Sequence, residues 1–192
     1  TNNDGSATQG TPGFWTGLHF ASSSTGSVLD NAVIRYAGRT YHLDHYDPSV
    51  THSGGSYMQT YASVLVDGAT ASVTMQNSLI ADGLGAGVNV YQGTANLSGN
   101  TVARMQSGSQ ILSSTTFTFV GYGVYSYGAR GLTLDHNLLE ANAADGLRAY
   151  NGAPVGLTNN TFNANGAYAA FFSGTTPAAA STGNIATDNG LN

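Results

Sequence analysis

The stretch Tyr41-His42-Leu43-Asp44-His45-Tyr46-Asp47, with His52 just after it, concentrates side chains that bind metals or move protons. His42 and His45 share a face only if the segment is helical. With His52 they are the metal-ligand candidates, and Asp44 or Asp47 could act as acid or base. A packed loop with hydrogen-bonded histidines is the plainer reading. Cysteine is absent, so nitrogen and oxygen alone would hold any metal. A second group is Arg148, Asp145 and Asp67. A polysaccharide lyase needs a base, for which Arg148 is the candidate, and acids that hold a cation against the substrate carboxylate. A hydrolase needs two carboxylates facing one bond. No such adjacent pair is visible, which weighs against catalysis. A third group is Tyr91, Tyr125, Tyr127 and Tyr150 with Arg148. Tyrosine offers a flat apolar face and a hydroxyl, a combination that suits sugar rings.

Composition narrows what could position these groups. The chain has 192 residues, a net charge of −5, only 8% charged residues and no lysine. Without basic clusters, a nucleic-acid surface is excluded as an expectation. No apolar run approaches the roughly 20 residues of a membrane span. Eleven Tyr and seven Phe argue against disorder. Abundant Gly, Ser, Thr and Asn with low charge suits a secreted β protein.

The positioning elements come from an internal repeat. Gly17-Leu18-His19-Phe20, Ser63-Val64-Leu65-Val66, Gly87-Val88-Asn89-Val90, Gly123-Val124-Tyr125-Ser126, Gly146-Leu147-Arg148-Ala149 and Ala169-Ala170-Phe171-Phe172 follow one another at spacings of 46, 24, 36, 23 and 23. Leu29, Met75, Leu97, Leu134 and Leu157 keep the same beat, each followed five residues on by Ile34, Ile80, Val102, Leu139 and Phe162. Asparagines do too: Asn100, Asn137, Asn160 and Asn184, then Asn142, Asn165 and Asn189. The unit is about 23 residues of short period-2 segments between Gly, Asn and Ser turns. Two units carry insertions, at 39–60 and 106–118. This predicts an all-β parallel β-helix of six to seven coils, with the asparagines as bend ladders that tolerate a left-handed backbone. A leucine-rich repeat is the nearest competitor, since Leu132-Thr133-Leu134-Asp135-His136-Asn137 fits its core. The second alternating strand in every unit and the lack of a helical segment favour the β-helix.

Within each Gly-Φ-x-Φ strand the middle residue should face outward. That gives one outward file of His19, Leu65, Asn89, Tyr125, Arg148 and Phe171. A second file reads Ala21, Asp67, Tyr91, Tyr127, Tyr150 and Ser173. Both insertions enter at one point of the coil, so they should flank the tyrosine strip and make a groove.

Phe14-Trp15-Thr16-Gly17-Leu18-His19-Phe20 followed by Ser27-Val28-Leu29-Asp30-Asn31-Ala32-Val33-Ile34-Arg35-Tyr36-Ala37-Gly38 resembles the opening coil of bacterial right-handed parallel β-helix repeat proteins. Later coils resemble the same group through G-V-x-V and L-x-x-N-x-Φ, over most of residues 13–190. The resemblance implies a right-handed β-helix at the bacterial cell surface or outside the cell. It leaves activity open, because the group holds pectate-lyase-like enzymes, adhesins and other surface proteins. Thr1-Asn2-Asn3-Asp4-Gly5 is similar to the later part of a calcium loop, which would make Asn2 and Asp4 calcium ligands. A polar terminus is the plainer reading. Both ends stop in mid-pattern, so the expectation is one β-helix domain over 1–192, cut from a longer protein, with end-to-end or flanking-domain contacts. The expected role is non-catalytic: a structural or adhesive module that touches a polysaccharide or cell-surface glycan, with no cofactor other than calcium. The alternative is a polysaccharide lyase or glycoside hydrolase acting in the groove.

Overall fold

The computed structural model describes residues 9–38, 62–112 and 115–191. The candidates Asn2, Asp4, His42, Asp44, His45, Asp47 and His52, and the first insertion with them, lie outside the described residues.

Short strands wind around a common core and stack into three parallel sheets. The first sheet holds β1 (Leu18–Phe20), β4 (Ala62–Asp67), β7 (Ala86–Tyr91), β12 (Val124–Tyr127), β15 (Leu147–Tyr150) and β18 (Ala170–Ser173), side by side in that order. The second holds β2 (Ser27–Asp30), β5 (Ser72–Gln76), β8 (Thr94–Ser98), β13 (Gly131–Asp135) and β16 (Val155–Thr158). The third holds β3 (Val33–Arg35), β6 (Leu79–Ala81), β9 (Thr101–Ala103), β14 (Leu138–Glu140), β17 (Thr161–Asn163) and β19 (Ile185–Thr187). Among the described residues there is no helix. The architecture is a right-handed parallel β-helix. Between β9 and β12 the chain leaves the coil as an antiparallel hairpin of β10 (Gly108–Leu112) and β11 (Thr115–Phe119).

The repeat beat sets the register. Leu29, Met75, Leu97, Leu134 and Leu157 pair across the second sheet, and Ile34, Ile80, Val102, Leu139 and Phe162 across the third. Val64, Val88, Val124 and Leu147 form the inward file of the first. Each inward file lies against the other two, so one continuous apolar core runs along the axis. Trp15 packs against this core near the first strands, its Nε1 donating to the Arg35 carbonyl at 2.7 Å.

Two asparagine ladders run beside the core. Main-chain N of Asn100, Asn137 and Asn160 donates to Oδ1 of Asn137, Asn160 and Asn184 at 2.9, 2.9 and 3.0 Å. Asn142 and Asn165 do the same towards Asn165 and Asn189. Each Nδ2 also donates to a main-chain carbonyl, as Asn137 does to Leu97 at 2.8 Å. The expected left-handed backbone, however, falls one residue earlier. Gly99, His136, Asn159 and Gly183 have positive φ, as do Ala141, Ala164 and Asp188. The ladder asparagine must keep its own backbone N–H pointed along the axis, so the residue before it makes the sharp bend.

Candidate functional site

The outer face of the first sheet collects the groups that could do chemistry. Register puts His19, Leu65, Asn89, Tyr125, Arg148 and Phe171 in one file. Asp67, Tyr91, Tyr127, Tyr150 and Ser173 form the file two residues on. Alternation along each strand turns these side chains outward, because Val64, Val66, Val88 and Val90 face the core.

The two ends of the strip differ. Tyr125, Tyr127, Arg148, Tyr150 and Phe171 are half-buried, whereas Leu65, Asp67, Asn89 and Tyr91 are buried. Rings meet in two groups, Tyr91 with Tyr127, and Tyr125 with Tyr150 and Phe171. Tyr91 and Tyr127 stack with centroids 5.8 Å apart and planes 18° off parallel, so part of each face is spent on the other. Tyr125 meets Tyr150 at 6.1 Å, and Tyr150 meets Phe171 at 5.9 Å, both tilted by more than 50°. Burial, followed by the neighbouring Tyr150, pushes the Tyr125 hydroxyl up to about 12. Burial likewise raises Tyr91 and Tyr122, so these hydroxyls stay protonated at neutral pH.

Arg148 is fixed among the rings. Its Nε donates to the buried Asp145 carboxylate and its Nη1 to the Tyr150 hydroxyl at 3.2 Å. The guanidinium lies 4.5 Å from the Phe171 ring centre and 5.2 Å from that of Tyr122. Asp145 also accepts from the Tyr168 main-chain N at 3.0 Å. Burial alone would lower the Arg148 pKa, but the Asp145 carboxylate and nearby tyrosines outweigh it and the net direction is up.

The structure thus joins Tyr125, Tyr127, Tyr150, Arg148 and Asp145, with Tyr91 stacked at the buried end. Asp67 is not brought to Asp145. Two strands separate β4 from β15, which at about 4.8 Å per strand places the carboxylates' strands roughly 14 Å apart. Asp67 faces His19 instead, with Oδ2 3.4 Å from Nε2. Tyr122 and Tyr168 belong to the site and were not singled out in the sequence. The signal was present: Tyr122, Asp145 and Tyr168 each precede the small residue opening a strand, 23 residues apart. Among the described residues, no group of three or more metal-ligating side chains occurs and no helix is long and apolar enough to cross a membrane.

A family model described as a right handed beta helix region matches residues 62–192. No curated protein and no solved structure matches the chain.

Proposed function

The chain belongs to the right-handed β-helix family, and from that premise we propose that it is a non-catalytic module that contacts glycans outside a bacterial cell. The observation that carries this reading is the half-exposed run of Tyr125, Tyr127 and Tyr150 with Arg148 held between them. Rings on a rigid parallel sheet are ordered before a ligand arrives, so little side-chain entropy is lost on binding. Their hydroxyls and tilted faces offer both halves of sugar recognition. Low charge and an abundance of Gly, Ser, Thr and Asn fit an extracellular setting. The raised Arg148 pKa weighs against a lyase, since an arginine that keeps its proton is poorly suited to take one from a sugar. The separation of Asp67 from Asp145 weighs against a hydrolase.

A glycan array tests the reading. Replacing Tyr127 and Tyr150 together by Ala removes two rings worth about 0.5–1.5 kcal/mol each, so binding should fall by about tenfold. Undiminished binding by the double variant would overturn the proposal. Ultraviolet-absorbing unsaturated products from an acidic polysaccharide, lost in Arg148→Ala, would replace it with the lyase.

A further inference from the structure

Two buried oxygens on the outer face of the first sheet have no partner: Oδ1 of Asp67 and Oδ1 of Asn89. Leaving a buried acceptor unmatched is costly, and such a pair calls for an occupant. Register places them together. Asn89 pairs with Leu65, and Asp67 lies two residues beyond Leu65 on the same face. Diagonal neighbours of this kind stand about 7–8 Å apart at the backbone, close enough for one small group to reach both side chains. His19 takes the corresponding diagonal position on the other side and meets Asp67 through Oδ2.

The chemistry of the occupant follows from the count of donors. Two acceptors, one of them a carboxylate, need a group with at least two N–H or O–H donors and preferably a positive charge. A sugar hydroxyl or an N-acetyl amide has one donor. An ammonium has three and no lone pair to oppose them. Among the described residues, Arg148 is engaged by Asp145, and Arg35 and Arg104 by Asp82, so none of these three cations fills the place. The Tyr91 ring beside Asp67 belongs to the Tyr91–Tyr127 stack, so the pair continues the tyrosine strip. Asp67 keeps 7% of its side chain exposed and His19 beside it 32%.

We propose that Asp67 and Asn89 form the acceptor site for the primary ammonium of an amino sugar, in a glycan lying on the tyrosine strip. This rests on the glycan reading above and gives it a ligand class. Calorimetry on the intact protein, with glucosamine oligomers of equal length in N-acetylated and free-amine form, tests it at a pH where the amine is protonated. The free-amine oligomer should bind about tenfold tighter, the worth of one charge-assisted hydrogen bond. Asp67→Asn should erase that preference. Asn89→Leu, which leaves the carboxylate in place, should reduce it, and serves if Asp67→Asn does not fold. Equal binding of the two oligomers overturns the ammonium site alone and leaves ordered water as the occupant. A preference that survives both folded variants also overturns it. Binding of neither oligomer also overturns this site, while the glycan array decides the wider glycan reading by itself.

Discussion

At the scale of single residues, the most informative positions are those the sequence pattern misassigns by one. The ladder asparagines are regular enough to read from spacing. Their repeated presence at bends suggests that they also supply the left-handed backbone, but that conformation belongs to the residue before. Three such positions are Ala141, Ala164 and Asp188, with φ of 51°, 51° and 54°. Alanine is disfavoured there because its Cβ crowds the following carbonyl. Ala164 is exposed, so losing its methyl sacrifices no packing. Ala164→Gly should therefore stabilise the protein by up to about 1 kcal/mol, seen as a higher urea midpoint. Asp82 supplies a second test. It accepts from Arg35 Nε at 2.9 Å and Arg104 Nε at 2.7 Å. The Arg104 hydrogen bond leads in holding its pKa below the ordinary 3.8, with burial opposing and Arg35 assisting. A folded-state value below the unfolded one adds stability above pH 3.8, and this is lost as pH falls further through the folded value. The arginines are well exposed, so the effect is worth no more than about 1 kcal/mol. Denaturant titrations from neutral to acid pH should show this loss in the native protein and lack it in Asp82→Asn.

At the scale of elements, legibility followed the beat. Wherever consecutive strands lie about 23 residues apart, pairing partners could be read directly, and the outward files of the first sheet match the observed register except at Ala21, which lies beyond the end of β1. The hairpin of β10 and β11 was legible only as extra length, because a two-stranded excursion pairs with itself and leaves no mark on neighbouring units. Ring orientation was not legible either. A file of tyrosines predicts proximity, but whether rings meet face to face or edge to face depends on side-chain torsions that spacing does not encode. Two substitutions probe how elements hold together. Asn137→Ala leaves the main-chain N of Asn100 and the Leu97 carbonyl without their side-chain partners. At about 1–3 kcal/mol for each buried group, a loss of several kcal/mol is expected in chemical denaturation. Gly146→Ala drives a methyl to 2.7 Å from the Ala169 carbonyl oxygen and 3.0 Å from Asn165 Nδ2. Backbone on one side and a ladder amide on the other leave no room to yield, so thermal unfolding should shift down by several degrees.

At the scale of the whole molecule, each coil touches only the coils above and below it, and stability becomes a sum of intrinsic and nearest-neighbour terms. Strands with partners on both sides should open last. Hydrogen exchange should therefore be slowest in β7, β8 and β13 and fastest in β19, where Ile185 is 56% exposed and, among the described residues, β17 is the only neighbouring strand. Uniform protection along the axis would contradict this. The direction of the asparagine ladders has a different kind of consequence. In both files every Nδ2 donates towards the next Oδ1: Asn100 to Asn137 to Asn160 to Asn184, and Asn142 to Asn165 to Asn189. Their amide dipoles point the same way and polarise one another. Sheets largely cancel their own dipoles, but these side-chain files add. An all-β chain thereby acquires an axial electric field like that of a helix, negative towards Ser78 and Met105 and positive towards Asn184 and Asn189.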